Sequence, residues 1–99
     1  MTGLPGLSEE QIDARFKVFA DHNRRTIITM VHGQPGITLQ EISAAFPMSR
    51  FAVMNHINLV EQAGLIRSEK ESIYRRFYPV DGATEELFEY WLRRVKENT

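Results

Sequence analysis

The sequence contains no cysteine, which rules out disulfides, thiolate metal ligands and thiol-based redox sensing within its 99 residues. No apolar run approaches the ~18–20 residues that a membrane-spanning helix needs. The opening segment, MTGLPGLSEE, has neither a basic region nor an apolar signal core, so a cytoplasmic location is expected. The one glycine-rich tetrapeptide, GQPG at 33–36, lacks the lysine and the spacing of a phosphate-binding loop. His22, His32 and His56 stand at no ligand spacing, so neither a metal nor a cofactor is expected. Ser8, Ser43, Ser49, Ser68 and Ser72 read as cap, turn or face residues, so no nucleophile is left for an enzyme. There is no internal repeat and no low-complexity segment.

What is present fits one domain over residues 1–99. A hydrophobic content of 42% with 25% charged residues is ordinary for a globular protein. Residues 1–7 hold Gly3, Pro5 and Gly6 and are expected to be flexible. Ser8, followed by Glu9 and Glu10, predicts a helix over 8–20 carrying Ile12, Phe16 and Phe19 at i, i+4 and i+7. A second helix starts near Asp21 or Asn23 and turns Ile27, Ile28 and Val31 inward. Arg24 and Arg25 sit in its first turn, against the helix dipole, and call for a carboxylate partner such as Asp21, or else DNA phosphate. Gly33, Pro35 and Gly36 form a loop.

Residues 38–64 then read as helix, tight turn, helix. Thr38 and Glu41 stand at capping-box spacing ahead of Leu39, Ile42 and Phe46. Pro47 breaks the first helix, Ser49 caps the second, and Gly64 can end it in the left-handed conformation. Two helices joined this closely cross steeply, as a helix-turn-helix does. With Val53, Ile57 and Val60 facing the core, the outward arc of the second helix holds Arg50, Phe51, Met54, Asn55 and Asn58. Arg can grip guanine, Asn can grip adenine, and apolar groups can meet a thymine methyl.

Residues 65–79 predict a two-stranded hairpin, with Glu71, Ser72 and Ile73 at its turn. Lys70, Arg75 and Arg76 are its candidates for phosphate, and Thr38, Ser49 and His56 join them as candidate backbone contacts. Glu69 and Glu71 work against phosphate unless one points away. Net charge is −1, yet residues 22–80 hold seven Lys or Arg against four Asp or Glu, and each flank is acidic. The basic excess therefore lies in the segment that would face DNA.

The segment SRFAVMNHINLVEQAGLIRSEKESIYRRFYPV resembles the recognition helix and wing of ArsR-type winged helix-turn-helix repressors. Ser49, Val53, His56, Ile57, Val60, Ala63, Gly64, Leu65 and Tyr78 fall on that family's pattern. Upstream, Asp21, Arg24 and Arg25 match its Asp-Pro-Thr-Arg-Arg stretch, with His22 and Asn23 in place of Pro and Thr. The resemblance covers about Phe16 to Val80. It implies a mostly α fold of five helices with a two-stranded wing, acting as a sequence-specific DNA-binding repressor. Met54 stands where the family has a small polar residue, which suggests a different or relaxed operator. Family members that sense metals use cysteines, or His and carboxylates of the last helix. Without cysteine, and with no His in its last helix, this chain resembles the metal-independent branch, and its effector stays unidentified.

A last helix over 84–98 has Glu85 and Glu86 first, Arg93, Arg94 and Lys96 last, and a stripe of Leu87, Phe88, Trp91, Leu92 and Val95. Ile12, Phe16, Phe19, Phe88, Trp91, Leu92 and Val95 offer more apolar surface than one small domain needs. They predict dimerisation through the first and last helices, as the resemblance also implies, and so a near-palindromic operator. Two alternatives stay open: a protein-docking module anchored by Phe51 and Met54, and DNA binding for partition or architecture.

Overall fold

The computed structural model describes residues 6–97. The flexibility expected of residues 1–7 falls mostly outside them, as does residue 98 of the last predicted helix. Five helices and three strands follow one another: α1 (Glu9–Phe19), α2 (His22–Gly33), β1 (Ile37–Thr38), α3 (Leu39–Ala44), α4 (Arg50–Gln62), β2 (Ile66–Glu71), β3 (Tyr74–Pro79) and α5 (Ala83–Glu97).

Caps set the helix starts. Ser8 and Gln11 form a reciprocal capping box on α1, and Thr38 with Glu41 forms another on α3. The Asp21 carboxylate accepts the Arg24 amide at 3.2 Å to start α2, and the Ser49 hydroxyl accepts the Ala52 amide at 3.1 Å to start α4. Gly64 stops α4 at φ +80, a conformation that disfavours any side chain.

The wing has three strands where two were expected. Thr38 is extended (φ −87, ψ 161) because it caps α3, and that backbone continues from Ile37 to pair antiparallel with Phe77 and Arg76 on β3. Two residues are too few to show a strand period in sequence. The sheet order is β1-β3-β2, and β2 and β3 run in register from Ile66 opposite Pro79 to Glu71 opposite Tyr74. Only Ser72 and Ile73 turn the hairpin, with Ser72 at φ +58.

Val53, Ile57 and Val60 of α4 are fully buried with Ile27, Val31, Ile42, Leu65 and Phe77 in one core. A second, smaller cluster joins Ile12 of α1 to Leu87 and Tyr90 of α5. Arg24 pairs with the expected Asp21 carboxylate, and both arginines also find helix carbonyls. Arg24 donates to Lys17 O at 2.9 Å and Val18 O at 3.3 Å, and Arg25 donates to Phe19 O at 2.6 Å. Two cations at the start of α2 thus cap the negative end of α1, fixing the angle between them. The Asp21 carboxylate stands 4.0 Å from Arg24.

Candidate nucleic-acid interface

The packing of α4 decides which side chains it presents. Once Val53, Ile57 and Val60 enter the core, Arg50, Phe51 and Asn55 project into solvent, Phe51 at 76% exposure. Arg50 and Asn55 have no side-chain partner among the described residues. Asn58 is half-buried at the edge of this arc. Met54 is half-buried too and packs against the core, so its thioether supports the helix more than it faces outward. Leu59, further along α4, is exposed, and the sequence reading did not single it out.

The predicted backbone contacts separate. Lys70 is exposed and has no partner among the described residues. Arg75 is drawn inward: its guanidinium pairs with Glu61 of α4 and its Nε donates to Ser68 Oγ at 3.2 Å. Ser68 in turn donates to Glu61 at 2.7 Å, closing a three-residue brace between wing and recognition helix. Arg76 donates to Glu71 at 3.1 Å and to Gly36 O at 2.9 Å. Glu69 is held by Arg67. Both wing acids are therefore neutralised by arginines, and the tip presents Lys70 beside exposed Ile73 and Tyr74.

Thr38 is buried, and its hydroxyl is spent on the α3 cap, where it meets both the amide and the carboxylate of Glu41. Ser49 is exposed but serves its own cap. His56 is half-buried beside α2, its buried Nδ1 without a hydrogen-bond partner and 4.0 Å from the Asp21 carboxylate. Two carboxyls in this region sit below the usual carboxylate range. Asp21 is lowered chiefly by the Arg24 backbone amide, and Glu41 chiefly by the Thr38 backbone amide. No three metal-ligating side chains converge among the described residues.

A second surface lies on α5. Leu87 and Tyr90 turn inward against α1 and Ala83 enters the main core, while Phe88, Trp91, Leu92 and Val95 form an exposed apolar stripe, Trp91 at 53%. Phe16 stacks edge-on against Phe88 and Trp91 at 6.3 and 6.1 Å, and Phe19 against Phe88 at 4.9 Å. Ile12 departs from the expected interface set. It is buried under Leu87 and Tyr90, because α5 covers that face of α1 within the same chain.

No family model matches the chain. Over 69 residues, 64% of this chain and 75% of the other, it is 30% identical to YuzN of Bacillus subtilis, an uncharacterized HTH-type transcriptional regulator. The fold matches the crystal structure of an ArsR family transcriptional regulator with a TM-score of 0.81 at 26% identity, over 92% of each chain. It also matches a homodimeric winged helix-turn-helix DNA-binding domain of Mycobacterium bovis, solved by NMR as a possible ArsR-family regulator. That TM-score is 0.67 at 16% identity, over 96% of this chain and 91% of the other.

Proposed function

The chain belongs to the ArsR family of winged helix-turn-helix transcriptional regulators, and from that premise we propose that it is a cytoplasmic homodimeric repressor of a near-palindromic operator. The observation that carries the reading is the solvent face of α4, where Arg50, Phe51 and Asn55 stand free at the end a recognition helix presents to base edges. Arg50 reads guanine, Asn55 adenine, and Phe51 meets a thymine methyl, with Asn58 beside them. Met54 holds the helix against the core from below this face. Lys70 neutralises phosphate at the wing, and the partly exposed His56 is a flanking backbone contact. Arg75 and Arg76 brace the wing, and Ser49 orders the first turn of α4.

Dimerisation through Phe88, Trp91, Leu92 and Val95, with Phe16 behind them, covers four of the eight exposed large apolar side chains among the described residues. That the Mycobacterium bovis domain of the same fold is homodimeric supports a homodimer here. Two recognition helices then lie about one turn of DNA apart, roughly 10–10.5 base pairs. The exposed Phe51 and Ile73 favour a second reading, docking of a partner protein on the same face.

Selection of bound sites from random duplex DNA separates the two. Enrichment of a near-palindrome with half-sites one turn apart is the expected result. An unenriched pool, together with binding that does not weaken as salt rises, would move the assignment to protein docking.

A further inference from the structure

Two cavities open along one groove between α1 and the C-terminal half of α4. The larger, about 210 Å³, lies among Ala14, Lys17, Val18, Arg24, Leu59 and Gln62. The smaller, about 130 Å³, shares Ala14, Gln62 and Ala63 and reaches Arg15.

Three observations set this groove apart from an ordinary furrow between helices. The charged side chains that line it are all cations, Arg15, Lys17 and Arg24, in a chain whose net charge is −1, and of the three Arg24 alone has a carboxylate nearby, that of Asp21 at 4.0 Å. Arg15 is a buried cation, 8% exposed, whose only partners among the described residues are the carbonyls of Ala63 at 3.0 Å and Ala83 at 3.3 Å. Two carbonyl dipoles satisfy two of its donors but do not neutralise it. Finally, Leu59 is a large apolar side chain, 41% exposed, that belongs neither to the free Arg50–Phe51–Asn55 face nor to the α5 stripe. It lines the larger cavity.

We propose that this groove binds a small monocarboxylate with an apolar body, the carboxylate toward Lys17 and Arg24 and the body against Val18, Leu59 and Ala63. Its volume lies below the ~300–1,000 Å³ of drug-sized sites, which restricts the occupant to a short chain or a single ring. The opposite face of α1 carries Ile12 and Phe16, which pack on α5. A molecule in the groove therefore sits between the α1–α5 layer and the recognition helix, and a bound state that favours one spacing of α1 from α4 biases how the two α4 helices of a dimer meet DNA. The regulatory half of the inference rests on the DNA-binding reading; the ligand site does not.

The test titrates octanoate into the full-length ¹⁵N-labelled chain, with acetate and octanol as probes lacking the apolar body and the charge respectively. Octanoate is expected to shift the amides of residues 14–18 and 59–63 saturably, with acetate and octanol weaker by at least about tenfold. Lys17→Gln, a surface substitution, should weaken octanoate by about fivefold or more while leaving the spectrum folded, and Leu59→Asn should do the same. Shifts centred on residues 88–95, a failure to saturate, or equal binding of octanol would overturn the site. With the selected operator in hand, saturating octanoate should change its Kd for the wild type and not for Lys17→Gln. An unchanged wild-type Kd would overturn the regulatory role. Absence of operator binding with or without octanoate would instead refute the DNA-binding reading, while the titration still decides the site.

Discussion

Arg15→Met isolates the contact that joins the first helix to the end of the recognition helix. Methionine keeps most of the apolar stem and removes the guanidinium. The two lost bonds, 3.0 Å to Ala63 O and 3.3 Å to Ala83 O, are charge-assisted, each in the range of ~1.5–3 kcal/mol, the longer one at the low end. Against that loss, the variant no longer buries a cation that is 8% exposed and lacks a carboxylate partner among the described residues, which returns part of its desolvation cost. The net expectation is a destabilisation of about 2 kcal/mol, or a fall in Tm of roughly 8–16 °C for a domain near 100 residues. Urea denaturation at one fixed protomer concentration measures it, with the midpoint lower and m unchanged. Arg15→Lys should fall between the two, since an ammonium cannot bridge both carbonyls as a planar fork does. A loss below about 0.5 kcal/mol, the size of an ordinary surface substitution, would overturn this role for Arg15. It would mean that both carbonyls hydrate freely and that the guanidinium contributes nothing.

Trp91→Glu places a charge on the exposed stripe of α5 and should convert the proposed dimer to monomer, read by sedimentation equilibrium; an unchanged mass would remove α5 from the interface. Asn55→Ala should cost about 1–3 kcal/mol on the selected operator and relax one base position in each half-site, measured by competition with single-base variants. Lys70→Ala should weaken all duplexes alike and reduce the salt slope by about one unit per protomer, whereas Glu61→Gln should lower thermal stability through the Arg75–Ser68 brace. Equal salt slopes for wild type and Lys70→Ala would show that the wing lysine does not meet phosphate. For pH, Asp21 and Glu41 have folded pKa values below the unfolded carboxylate range of about 4. Their contribution is therefore fully present above that range and is lost as pH falls through the lowered values. Asp21→Asn and Glu41→Gln should each flatten the acid limb of a stability–pH profile, and a limb of unchanged steepness in both would place the acid sensitivity elsewhere.

Where an element is long and strongly periodic, the sequence was enough. The Val53, Ile57 and Val60 stripe put α4 in the core and, by elimination, put Arg50, Phe51 and Asn55 outside. Contacts between elements distant in sequence were harder to read. Arg75 and Arg76 look like free wing cations until Glu61, 14 residues upstream, and Gly36, 40 residues upstream, are brought beside them. Strand β1 was invisible because two residues carry no alternation. Arg15 did leave a signal: with Ile12, Phe16 and Phe19 it completes the i, i+3, i+4, i+7 pattern of a buried face, so a charged residue there was marked for burial. The first-turn arginines of α2 were legible as needing a negative partner, which Asp21 supplies to Arg24, but the C-terminal carbonyls of α1 that they also meet carry partial negative charge that no acidic residue announces.

The most direct test of the DNA-binding claim is the affinity of the wild-type chain for its selected duplex across a salt series. Binding that weakens with a log–log slope steeper than about −2, as ~0.9 for each phosphate met by the two wing lysines requires, and that drops for scrambled DNA at every salt, is the predicted result. Affinity that is flat in salt and indifferent to sequence would contradict the account.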